Sequence, residues 1–271
     1  MKFMIRSDIE GVTGVTTYQQ AEGTPFGRAM LMNDLNAVIR GLLVTGDHEI
    51  VIYDEHTDGR NVVLDDLPES VSVICGKPDY QPDWGGIDAS FGAMLMIGFH
   101  ARSGVAGALL PHSYSRKNLR IAINGFEVGE IGIEAAIAGD FGVPVWLLTG
   151  DSAGMAEAEA ILPGVRTVTV KEAMGETAAL CYSPRRTAQL IEAAAKEILS
   201  SHPPVNPLVF AGPVRLELRL ADSPYLEALR ELFPEPFVTP NDLLLTRISV
   251  TAAWSEFLHM QREAKQLLAS R

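Results

Sequence analysis

Two cysteines, Cys75 and Cys181, are all the thiol chemistry available to this chain of 271 residues. They form no Cys-x-x-Cys pair, so neither a disulfide framework nor a zinc knuckle can be built from them. Lying in or beside apolar stretches, both are expected to be buried, reduced and inert. No apolar run approaches the roughly eighteen residues needed to span a bilayer. The stretch Met1 to Ser7 is broken by Lys2 and Arg6 and offers no signal-peptide core, so the expected location is cytoplasmic. Basic residues are in deficit: 22 Lys and Arg against 34 Asp and Glu leave a formal charge of −12. That charge repels phosphate backbones and anionic lipid, so neither nucleic acid nor a membrane is expected as a partner. Several motifs are missing as well. There is no Gly-x-Gly-x-x-Gly after a strand and no Walker lysine, which argues against nucleotide binding by the familiar loops. The absence of His-Glu-x-x-His excludes a helix-mounted zinc protease.

What is present is an ordinary globular composition, 47% hydrophobic and 21% charged. The length suits one α/β domain with a smaller appendage. Short apolar runs predict buried strands at Phe3 to Arg6, Ile50 to Tyr53, Val71 to Cys75, Ala93 to Ile97, Leu119 to Ile123, Val145 to Leu148 and Val165 to Val170. Helical patterns fall between several of them, at Gly27 to Leu43, Gly129 to Ala138 and Ala153 to Leu162, and a further helix opens at Ser183-Pro184 and runs to about Leu199. The alternation implies a largely parallel sheet with helices on its faces. The stretch Ser201-His202-Pro203-Pro204-Val205-Asn206-Pro207 reads as a linker, after which Val214, Leu216, Leu218 and Leu220 alternate with charged residues as in a strand buried on one face. A helix from about Pro224 to Phe233, a strand near Leu243 to Ile248 and a closing helix from Thr251 to Leu268 complete the pattern. The expectation is an α/β catalytic domain over residues 1–200 and a smaller C-terminal α+β domain over 208–271.

Catalytic groups of open α/β sheets collect where the strands end at their carboxyl side. The first predicted strand runs into Asp8-Ile9-Glu10, whose carboxylates share a side if the backbone stays extended. The second ends in Asp54-Glu55-His56 and the fourth leads through Gly98-Phe99 to His100. Glu130, at the start of a helix, is equally well read as a ligand or as a partner of the helix dipole. Carboxylates mixed with imidazoles and without thiolate suit zinc, manganese, cobalt or iron. Five ligands exceed the demand of one tetrahedral zinc, so a two-metal centre fits better. His112, in Leu109-Leu110-Pro111-His112-Ser113, is compatible with a sixth ligand, a general acid or no role. His48, His202 and His259 are assigned no chemistry.

Taken in order and at their spacings, Ser7-Asp8-Ile9-Glu10-Gly11, Asp54-Glu55-His56, Gly98-Phe99-His100-Ala101-Arg102, Pro111-His112-Ser113 and Asn124 leading to Val128-Gly129-Glu130 resemble the DppA-type D-aminopeptidases, a family of cytoplasmic zinc peptidases. The resemblance implies two zinc ions held by Asp8, Glu10, His56, His100 and Glu130, with His112 catalytic beside them. It also implies release of N-terminal D-amino acids from short peptides by a metal-activated water, and a homodecameric ring. Two other classes compete. A metallophosphoesterase would share Asp54-x-His56 but should carry a downstream Gly-Asn-His that is missing, and a non-catalytic assembly or solute-binding protein would keep the metals for structure alone.

Overall fold

A computed structural model describes residues 1–201 and 204–271. The predicted linker thus lies partly outside the described residues, at His202 and Pro203. In chain order the elements are β1 (Lys2–Ser7), α1 (Tyr18–Ala21), α2 (Pro25–Leu43), β2 (Glu49–Asp54), β3 (Val71–Ile74), β4 (Ala93–Phe99), β5 (Asn118–Ile123), β6 (Phe126–Glu127) and α3 (Glu130–Asp140). They continue with β7 (Val145–Asp151), α4 (Ser152–Ile161), β8 (Arg166–Ala173), β9 (Ala179–Cys181), α5 (Pro184–Ser201), β10 (Val214–Leu220), α6 (Pro224–Leu232), β11 (Asp242–Arg247) and α7 (Val250–Ala269).

Seven strands form one sheet in the order β3-β2-β1-β4-β7-β8-β9, parallel throughout except for β9 on the edge. Its central strands are buried on both faces, which explains why they read as continuous apolar runs. Within β1 the alternation sorts the faces. Phe3 and Ile5 pack with α2 and α5 on one side, whereas Met4 packs with α3, α7 and the second sheet on the other. The helices begin where local chemistry allows: Thr24 Oγ1 accepts from Gly27 N at 3.1 Å ahead of Pro25, and Ser249 accepts from Ala252 N at the start of α7.

The second sheet is antiparallel, in the order β11-β10-β5-β6. It draws on both sides of residues 202–203, because β5 leaves the parallel sheet and pairs with β10. The turn from β5 to β6 is Asn124-Gly125, with φ of 51° and 81°, the left-handed pair that a tight two-residue hairpin requires. The two cysteines depart from expectation: both are exposed, Cys75 at the end of β3 and Cys181 on the edge strand β9. Edge strands cover only one side of a residue, so neighbouring apolar positions do not guarantee burial. Among the described residues no helix is long and apolar enough to cross a membrane.

Candidate metal centre

The strand order reverses between β1 and β4, since the chain first adds β2 and β3 on one side and later β7 and β8 on the other. At such a switch the loops leave in opposite directions and open a crevice beyond the carboxyl ends of the strands. The loops after β1, β2 and β4 meet there and are tied together by backbone bonds from Asp8 N to Ile97 O (2.9 Å), Glu55 N to Ser7 O (2.9 Å) and Gly11 N to Gly98 O (2.7 Å). Gly98 adopts φ of 81°, which turns the chain so that His100 points back toward Asp8. Gly11 lies so close that an added Cβ would fall 2.0 Å from Phe99 O.

The structure gathers every residue the strand-end argument and the resemblance selected. His56 Nδ1 lies 2.9 Å from Asp8 Oδ1 and 2.9 Å from Glu10 Oε2. His100 Nε2 is 3.5 Å from Asp8 Oδ2 and 3.4 Å from Glu130 Oε1. Candidate ligand atoms of Asp8, Glu10 and His100 lie within 4.8 Å of one another, as do those of His100, His112 and Glu130. His112 stacks on His100 with ring centroids 4.3 Å apart and places Nε2 3.9 Å from Glu10 Oε1 and 3.8 Å from Glu130 Oε1. Two carbonyls orient these rings: His100 Nδ1 is 2.9 Å from Ala101 O and His112 Nδ1 is 3.0 Å from Leu110 O. Donation from Nδ1 turns each Nε2 toward the carboxylates, the orientation a metal ligand needs.

Side chains behind the cluster hold it. The fully buried Lys171 donates from Nζ to the carbonyls of Glu10, Val12 and Val15, stapling the loop that presents Asp8 and Glu10. Asp54 accepts from the backbone of Asn61 and Val62, and Asn61 Nδ2 donates to His56 O at 2.9 Å. Glu157 accepts from Arg102 N at 2.8 Å and secures the loop after His100. Tyr114 joins two acids on one face of α3, donating from its backbone N to Glu130 and from its hydroxyl to Glu134, each at 2.6 Å.

The electrostatics call for positive charge. Burial works against protonated imidazole, yet the bond to Asp8 and the adjacent charge of Glu10 push His56 up to about 11. His100 likewise rises, against the cost of burial, to about 10 under the fields of Glu130, Asp8 and Glu10. Burial alone would raise Asp8 and Glu130, but His56 and His100 respectively hold them below the usual carboxylate range. Among the described residues, Asp8 Oδ2, Glu10 Oε2, His56 Nε2 and His100 Nε2 are buried polar atoms without a hydrogen-bond partner. Each such atom costs about 1–3 kcal/mol unless something satisfies it. Oxygen and imidazole nitrogen converging in this way fit a divalent metal of the zinc class.

The cluster forms one wall of a cavity of about 540 Å³, closed on the other side by Trp254 and Leu258 of α7. A larger hollow of about 960 Å³ shares Tyr80, Leu258 and Arg262 with it but contains none of the six candidate site residues, so the candidate metal centre opens on the smaller one. In and behind the cavity wall lie groups that strand-end reasoning passed over. Arg6, fully buried, pairs with Glu55 and, at 2.9 Å, with Glu134, and donates to Tyr80. Glu134 sits one helical turn after Glu130, a spacing visible in the sequence.

A buried imidazole and carboxylate cluster at the switch point of a parallel sheet defines a metallohydrolase class of site. Comparison with known proteins narrows it: the chain belongs to the D-aminopeptidase family of peptidases, whose model matches residues 1–235. The D-aminopeptidase of Bacillus subtilis (strain 168) is 29% identical over 214 residues, covering 77% of each chain. In three dimensions the chain is similar to the zinc-dependent D-aminopeptidase DppA from Bacillus subtilis, described as a self-compartmentalizing protease, with a TM-score of 0.89, 26% identity and 98% of both chains covered. These relationships favour neither the metallophosphoesterase nor the solute-binding alternative.

Proposed function

We propose that the chain removes N-terminal D-amino acids from short peptides, with Asp8, Glu10, His56, His100 and Glu130 holding two zinc ions and His112 acting on the substrate. The observation that carries this reading is the set of four buried, unpartnered ligand-type atoms converging from the loops after β1, β2 and β4. Bound there, a pair of divalent ions would supply Lewis-acid activation of a water and of the peptide carbonyl. The protein's own part is to hold the carboxylates and imidazoles in place, to exclude bulk water with α7, and to deliver a proton to the departing amine from His112. The residues suit zinc, and manganese or cobalt would bind the same donors.

Residues 1–200 carry the catalytic elements in this reading, and the segment 208–271 supplies through α7 the opposite wall of the cavity. A homo-oligomer, decameric as the family resemblance implies, and a cytoplasmic location belong to the same proposal. The self-compartmentalizing relative supports the assembly.

Elemental analysis of purified protein should find zinc near two ions per chain. D-alanyl dipeptides should be cleaved in preference to L-alanyl ones, and a chelator should abolish turnover. Metal-free protein whose peptidase activity resists chelation would overturn the reading.

A further inference from the structure

Charge is not mixed evenly in the catalytic cavity. Its carboxylates, Asp8, Glu10, Glu55, Glu130 and Glu134, have side chains at most 10% exposed. Its cations lie at the mouth: Lys77 is 40% exposed, Arg262 is 42% exposed, and Lys265 is exposed on the outer part of α7. The helix runs from floor to mouth. Near its start Trp254 packs on Tyr114 with centroids 4.5 Å apart, beside Glu130, while Lys265 and Ala269 near its end face solvent.

Two of these cations are already engaged, Lys77 with Glu55 and Arg262 with Asp79. Lys265 lines the same cavity, yet among the described residues it has no hydrogen-bond or ion-pair partner. Its place on the helix also suits a length. Seven residues from Leu258 to Lys265 rise about 10 Å along α7, and a peptide of two or three residues extends over roughly 7–10 Å. A substrate carboxylate would be repelled by Glu55 and Glu134 on the floor and attracted at the rim.

We propose that Lys265, supported by Arg262, receives the C-terminal carboxylate of a short peptide whose N-terminal residue lies at the candidate metal centre, so that the cavity grips its substrate at both ends. This rests on the peptidase reading above and adds to it a determinant of substrate length and of terminal charge. A peptide much longer than three residues would carry its carboxylate past the mouth and lose the contact.

The test compares D-alanylglycine with D-alanylglycinamide, which differ only in the terminal charge, on the metal-loaded protein. The wild type should favour the free acid through a lower KM. Lys265→Glu should lower the acid-to-amide ratio of kcat/KM roughly tenfold and Lys265→Gln by about threefold. Lys196→Glu, the same charge reversal on α5 across the sheet, serves as the control and should leave the ratio as it was. Retention of the wild-type ratio by Lys265→Glu, or an equal fall in Lys196→Glu, overturns the carboxylate site alone. A wild type that cleaves neither peptide, with zinc bound, overturns the peptidase reading on which it stands.

Discussion

At the scale of single residues, the three imidazoles of the site differ in what they face. The side chains of His56 and His100 are 5% and 1% exposed, while that of His112, which borders the cavity together with His56, is 12% exposed. His112→Ala should therefore retain zinc, read by elemental analysis, and lose turnover by roughly 10²–10⁴-fold, the usual share of general acid–base catalysis. Loss of the metal together with activity would make His112 a ligand instead. Glu134 offers a pH test. Burial and the nearby charge of Glu55 push it up to about 7 from an ordinary 4.5, against Arg6. The folded state then binds the proton more tightly than the unfolded chain between these values, so this group's contribution to stability is present in full below about pH 4.5 and is lost as pH rises through 7. In chelator, where metal uptake does not intrude, Glu134→Gln should remove that fall, seen as a flatter dependence of the denaturant midpoint on pH than in the wild type. Glu134 escaped the sequence reading because an acid four residues after Glu130 is common on any helix. Only the cavity shows that both face one space.

At the scale of elements, β5 illustrates how a correct local reading leaves the global placement open. Leu119 to Ile123 is a strand, as the apolar run predicts, but it belongs to the antiparallel sheet and pairs with β10, a strand lying more than ninety residues further along. Asn124-Gly125 makes this possible, and it is a short-range signal that the sequence displays openly. Gly125→Val would force a β-branched residue into φ of 81° and should cost about 1–2 kcal/mol in urea unfolding, with little change in zinc content. Asn124 anchors the turn from the other side, accepting from Arg215 N at 2.7 Å and donating to Ala211 O at 3.0 Å. The helix α7 was also legible as a helix, expected from Thr251 to Leu268 and observed from Val250 to Ala269. That its Trp254 and Leu258 close the catalytic cavity was not, because a buried aromatic reads as core until its neighbours are known.

At the scale of the whole molecule, the candidate metal centre couples three loops that are far apart in sequence, and metal should act on the stability of the fold as a unit. At zinc concentrations about a hundredfold above Kd, mass action stabilises by roughly 2.7 kcal/mol. For a chain of this size that corresponds to a Tm about 5–10 °C higher than in chelator. An unchanged Tm would mean that zinc does not bind the native site. The sequence by itself determined the chemistry: Asp8, Glu10, His56 and His100 stand at strand ends because short apolar runs stop there, and backbone periodicity is a local property. The ligand role proposed for Glu130 was not local in this sense, since the start of α3 lies in the chain beyond the excursion through the second sheet. Which loops meet was decided only by the tertiary structure. The reversal of strand order between β1 and β4 depends on long-range pairing among buried strands that are all apolar, and nothing in their one-dimensional pattern distinguishes one neighbour from another.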